Sequence, residues 1–456
     1  MESGGEYRPI EERRADGVRK RQALPPGSHG AFIGERGDPL ALIEAQNATR
    51  SPALVPHRIG RMARSPFAFL RGAAAVMADD LSRQPSSGVL TQACGDAHLS
   101  NFGIFGTPER RLAFDLNDFD ETARAPFEWD VKRLAASVVV AGRANGLDEQ
   151  ECAAAAREAV RGYRERTAEL ADLPLLDVWH RHIDLDNAVA EQTEGGAYAT
   201  LVSAGARAAG EARNRTNRST LDKACERTAD GWLFRHDPPS MLRMDAVPGE
   251  AAEIATLFRS YVATLPPEHA LLLRHYRLAD VIRRVSGIGS VGKRGYAILL
   301  LGEHADDSIF LQVKQAQPSV LESYTEASPF SSPAQRVVVG QRLLQAASDE
   351  FLGWMKEPAS NGDRFYVRQL RDFKGEFEVG DMHAEELTTY AAVCGLVLAG
   401  AHARAGSAVE IAAYLGGDPA FDEAVGDYAR AYADLNDADH AALVAAVSSG
   451  RLPSAG

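Results

Sequence analysis

Apolar residues recur at helical spacing from Ser65-Pro66 to about Leu81, and the serine-proline pair supplies an N-cap followed by a first-turn residue, so the pattern predicts a helix there. The run from Val89 to Cys94 reads as a strand, Phe102 to Phe105 with Arg111 to Phe114 as a short hairpin, and Pro126 as the start of a long helix through Val140. Ala- and Arg-rich helical spacing fills about Asp148 to His275, with breaks near Asn214 to Ser219 and at Asp237-Pro238-Pro239. After Leu278 the pattern changes. Val281 to Arg284, Tyr296 to Leu301, Ile309 to Val313 and Phe365 to Leu370 are rich in strand formers, with a helix predicted from Gln335 to Trp354. Helical spacing returns from about Glu385 to Arg404 and from Phe421 to Val447. The expected division is a polar, Pro/Gly-punctuated arm with little core over residues 1–60 and a helical lobe over 61–277. A small β-rich lobe over 278–380 and C-terminal helices over 381–456 complete it.

Composition narrows the function classes. A chain of 456 residues with 45% hydrophobic and 25% charged side chains is long enough and apolar enough for two or three packed lobes. The formal net charge of −13 disfavours nucleic acid or an anionic membrane as partner, because both depend on phosphate neutralisation by Lys and Arg. The Ala391 to Ala401 run is too short to span a bilayer, and Met1 to Arg21 contains no apolar signal core, so a cytoplasmic protein is expected. Cys94, Cys152, Cys225 and Cys394 show no C-x-x-C spacing and read as reduced, buried thiols. Oligomeric state is left open.

Two segments carry chemistry. In Gly95-Asp96-Ala97-His98-Leu99-Ser100-Asn101, followed by Phe114-Asp115-Leu116-Asn117-Asp118-Phe119-Asp120, carboxylates and an Asn cluster behind short apolar runs. Such a set suits phosphoryl transfer, in which a divalent cation neutralises the phosphates and a carboxylate orients the accepting hydroxyl. The second segment, Ser286 to Lys293, holds Gly287, Gly289 and Gly292 in a G-x-G-x-x-G pattern whose missing side chains let backbone N–H groups approach a polyphosphate. The strand Leu311-Gln312-Val313-Lys314 follows and ends in a lysine, like the phosphate-pairing V-A-I-K lysine. A Walker A reading of Gly287 to Lys293 fails, since Arg294 stands where a Ser or Thr hydroxyl is required and a strand follows. G-x-S-x-G, H-E-x-x-H and Cys-His zinc spacings do not occur, so hydrolase and zinc-enzyme readings lack their carriers.

The segments Ser65 to Gly72, Cys94 to Gly103, Asn117 to Thr122, Trp129 to Ala135 and Val313 to Ser319 resemble the bacterial domain-of-unknown-function family 2252 over nearly everything after residue 55. More remotely, the chain is similar to aminoglycoside phosphotransferases and other kinase-like enzymes. That similarity implies an α+β, two-lobed, protein-kinase-like fold, predominantly helical with a small antiparallel sheet lobe. Because the glycine loop and lysine lie after the catalytic loop here, it also implies a circular permutation. By the same similarity Asp96 orients and deprotonates the acceptor, Asn101 holds metal, and Asp115 or Asp118 is the main metal carboxylate; His98, read from its place in the loop, faces phosphate or substrate or else packs within the loop. Lys314 pairs the phosphates with Glu322, or Glu326, as its partner, and Asp130 braces the catalytic loop. The implied cofactors are ATP and Mg²⁺, and the implied activity is phosphoryl transfer to an unknown small-molecule or protein acceptor. A catalytically silent nucleotide-binding module and a metal-dependent nucleotidyl transferase or hydrolase are the alternatives.

Overall fold

A computed structural model describes residues 7–455 apart from 33, 185–209, 211–216, 230, 239–240, 244–248, 286–288, 290, 305–306, 371–374 and 376. It is an α+β chain dominated by helix, with one curled antiparallel sheet. The predicted helix after Ser65 is two helices, α4 (Pro66–Gly72) and α5 (Ala74–Ser82), separated at Ala73, which leaves helical dihedrals; the Ser65 hydroxyl caps the first by accepting from Ala68 N. Next come β1 (Leu90–Ala93) and the hairpin of β2 (Phe102–Gly106) with β3 (Leu112–Leu116). The strand β4 (Ala123–Pro126) pairs with β1 and runs into α6 (Phe127–Ala144). This last helix is buried along most of its length, and its Ala/Val-rich surface lets α7 (Glu149–Ala171) and the helices Ala384–Ala405 and Ala420–Ser448 pack closely around it.

The short strand β5 (Ile183–Asp184) pairs with β3, and the sheet is built later in the chain. In order across it run β12 (Gly353–Trp354), β13 (Arg364–Gln369), β11 (Ser308–Ala316), β10 (Gly295–Leu301), β9 (Arg277–Arg284) and β8 (Met241–Leu242), every pair antiparallel. Both faces of β10 and β11 are buried. Tyr296, Ile298, Leu300, Leu311 and Val313 belong to one cluster, and Ala297, Leu299 and Phe310 to another. That explains why these strands read as continuous apolar runs rather than alternating ones.

Three expectations are corrected. The N-terminal arm is helical: α1 (Ile10–Ala23), α2 (Pro39–Ala48) and α3 (Val55–Met62) pack onto the body, with Leu40, Ile43, Ile59 and Met62 in a common core and Lys20 paired to Glu410 at 2.7 Å. The helix expected from Gln335 to Trp354 spans Pro333–Leu344, and Trp354 lies on the edge strand β12. The strands β6 (Cys225–Thr228) and β7 (Gly231–Phe234) form a hairpin inside a stretch read as helical. No helix among the described residues is long and apolar enough to cross a membrane.

Candidate functional site

Asp96 occupies the loop after β1, and that loop is held by a carboxylate from α6. Asp130 accepts hydrogen bonds from Cys94 N at 2.6 Å and Gly95 N at 2.9 Å, while His402 Nε2 lies 3.1 Å from Asp130 Oδ2 and Tyr163 Oη 2.9 Å from His402 Nδ1. All of these groups are buried, so the loop conformation is tied to the helical core rather than left to solvent. Gly95, at φ +85°, is required by a close approach: a Cβ there would lie 2.1 Å from the Glu121 carbonyl oxygen. The Asp96 loop therefore abuts the 117–122 loop directly. Asn101 reinforces the contact, donating from Nδ2 to the Asp96 carbonyl at 2.6 Å and accepting from Asn117 N at 2.8 Å.

Onto the 117–122 loop comes Lys314, from β11. Its Nζ donates to Asp118 Oδ1 at 3.2 Å and to Asp120 Oδ1 at 3.1 Å, and the Tyr366 hydroxyl donates to the same Asp120 oxygen. Lys293, at the end of the glycine loop, lies 3.9 Å from both Asp120 and Glu121. Burial alone would lower the Lys314 pKa, but Asp118 and Asp120 outweigh it and hold the ammonium above its ordinary value. Burial would likewise raise Asp120, and Lys314, Lys293 and Tyr366 hold it below the usual carboxylate range. Arg336, from the Pro333–Leu344 helix, fastens the two halves by donating to the Asp120 and Gln317 carbonyls, both at 2.9 Å. Lys293, Tyr296, Gln312 and Lys314 line a small concavity that is open to solvent.

The glycine loop joins β9 to β10. Gly287 lies outside the described residues. The carbonyls of Gly289 and Val291 accept from Arg50 Nη1 at 2.8 and 2.6 Å, and Gly292 O accepts from Ser51 N at 2.9 Å. Gly292 has φ +90°, and a Cβ there would lie 2.8 Å from Arg50 Cβ. The arm that was expected to carry little core thus straps the loop by its carbonyl side.

Other expected residues lie elsewhere. Asp115 is turned away from Lys314: on β3 its carboxylate accepts from Leu116 N and Ala346 N and sits 3.6 Å from the buried Arg404 guanidinium. Strand geometry fixes that direction, whereas Asp118, past the end of β3, is free to turn toward β11. Glu322 forms an ion pair with Arg336 at 3.0 Å, and Glu326 is exposed; the Lys314 partners are Asp118 and Asp120 instead. Arg368, from β13, donates to the Asn117 carbonyl at 2.9 Å.

Asp96 itself is paired. Arg133 Nε donates to its Oδ1 at 2.5 Å, leaving Oδ2 toward His98, whose Nε2 is 3.8 Å away. Burial pushes the Asp96 carboxyl up to about 6 despite Arg133, with Glu121 and Asp118 adding to the rise. His98 is almost fully buried, and burial, with Arg133 and Arg71 nearby, drives its pKa well below the ordinary value, so it is neutral. Arg133, Lys293 and Arg50 were not anticipated as site residues, and Asp120, although part of the acidic cluster, had been given no role of its own. Arg133 lies in the Trp129 to Ala135 segment, where its place on a helix gave no sign that it reaches Asp96.

Among the described residues no three His, Cys, Asp or Glu side chains are grouped to hold a metal ion. Asp118, whose side chain is 40% exposed, and Asn101 carry oxygen atoms on two loops that meet through the Asn117 N to Asn101 O hydrogen bond. One carboxylate and one amide oxygen suit Mg²⁺, which keeps several waters and takes its remaining ligands from substrate phosphates.

A family model described as an uncharacterized protein conserved in bacteria (DUF2252) matches residues 50–446, and the chain belongs to that family. No curated protein matches it. No solved structure matches it either.

Proposed function

We propose, with membership of that bacterial family as the premise, that this chain is a kinase-like phosphotransferase that binds ATP between the sheet and the Asp96 loop. The observation that carries the reading is the meeting of Lys314 with Asp118 and Asp120, 196 and 194 residues apart in sequence, beside the Asp96 and Asn101 loop. The order glycine hairpin, lysine strand, D-x-x-x-x-N loop and following carboxylate is that of protein kinases once the chain is rotated, which supports a circular permutation. Where protein kinases pair the lysine with a helix glutamate, Asp118 and Asp120 pair with Lys314 here.

In this reading Lys314 and Lys293 pair the phosphates, and Asp118 with Asn101 would hold Mg²⁺. The cation supplies charge neutralisation on the transferring group. Asp96 Oδ2 accepts the hydroxyl proton of the acceptor as its oxygen bonds to the γ-phosphorus; the bond to the bridging oxygen breaks and ADP leaves. Arg133 keeps the Asp96 carboxylate oriented.

ATP labelled at the γ-phosphorus tests the reaction class. The label is expected on an acceptor or, at a slower rate, as free phosphate by transfer to water. Release of the label as pyrophosphate would assign nucleotidyl transfer and remove the proposal.

A further inference from the structure

The Ser65 to Gly72 segment has no part in the reading above, although it lies beside the proposed base. On α4, Phe67 and Arg71 are four residues apart and share a face. Phe67 meets the His98 ring edge-on, with centroids 6.5 Å apart, so Arg71 stands one turn along on the side of His98. The adjacent Leu70 carbonyl accepts from Arg133 Nη2 at 3.0 Å, which fixes α4 against the arginine that holds Asp96.

Two polar groups at this junction lack partners. Arg71 makes no hydrogen bond or ion pair with the described residues, and its Nε is fully buried. His98, 3% exposed, has a buried Nδ1 without a partner. Arg133, by contrast, donates from each of its three nitrogens, to Asp96, Leu70 and the Met77 sulfur. A guanidinium left unpaired in a partly buried position is costly unless a ligand anion completes it, and its fork matches carboxylate or phosphate.

We infer that the phosphoryl acceptor is an anionic alcohol, its hydroxyl at Asp96 and its carboxylate or phosphate group on Arg71, with His98 adding a hydrogen bond. This rests on the phosphotransferase reading for the role of Asp96, but the anion site does not need ATP to be occupied. A cationic acceptor would meet Arg71 and Arg133 and be repelled.

The test is calorimetric titration of the full chain, without nucleotide, with glycerate, glycerol 3-phosphate, glycerol and ethanolamine. Binding is expected for one or both anions and for neither of the other two. Arg71→Gln should weaken it at least about tenfold while Arg71→Lys, which keeps the charge, loses less. A preference for glycerate assigns a carboxylate acceptor, and one for glycerol 3-phosphate a phosphate acceptor. Absence of anion binding, or equal binding by wild type and Arg71→Gln, overturns the inference. ATP titrated into the wild-type chain separates the two readings: nucleotide binding without anion binding removes only the acceptor class, whereas anion binding in a chain that never binds ATP removes only the phosphotransferase.

Discussion

Asp96→Asn is expected to lower kcat by about 10²- to 10⁴-fold, the usual contribution of a positioned general base, while ATP affinity changes little. Asparagine keeps the size of the side chain and can still accept from Arg133 through its amide oxygen, so the loop held by Asp130 stays in place. It cannot take a proton. The same assignment gives a pH dependence with a definite sign. Burial raises the Asp96 carboxyl to about 6, and the base must be ionised, so the rate falls as pH drops below about 6 and reaches a plateau above it. Steady-state rates across this range check both points. An Asp96→Asn variant with wild-type kcat, or an acid limb unchanged by the substitution, would take Asp96 out of the mechanism.

Asp118→Asn is expected to abolish the magnesium-dependent part of the stabilisation by ATP. At a ligand concentration of 100 times Kd, wild type gains about 2.7 kcal/mol by mass action, and the variant should retain only what metal-free nucleotide provides. The fold should survive, because Asp120 still neutralises Lys314 at 3.1 Å. Asp115→Asn gives the opposite pattern. It disturbs the pair with Arg404 and lowers the melting temperature of the unliganded chain, but leaves the magnesium-dependent increment intact. Melting curves of the three proteins with ATP, with and without Mg²⁺, distinguish these outcomes. Loss of the increment in Asp115→Asn and not in Asp118→Asn would exchange the two roles.

The sheet strands were legible because β10 and β11 are apolar on both faces, which leaves an unambiguous run in the sequence, and the long helices because Pro126 and the Ala-rich spacing mark them. The first helix was not legible as part of the body. It carries few apolar side chains and attaches through charged pairs such as Lys20 with Glu410, which read as solvated surface. Within the site, Asp96, Asn101, Asp118 and Lys314 could be singled out because their spacings follow the chemistry. Asp115 and Asp118 could not be separated, since the decision depends on which way β3 presents one side chain and how the loop turns after it. Arg133, Arg71 and Arg50 were hidden for a common reason: an arginine on or beside a helix gives no sign in sequence that a tertiary contact buries it.

Binding of ATP in the presence of Mg²⁺ to wild type and to Lys314→Ala, measured by calorimetry, tests the central claim most directly. The predicted result is one ATP per wild-type chain and an affinity at least about tenfold weaker once the phosphate-pairing lysine is removed. No binding to wild type, or the same affinity in both proteins, would contradict it.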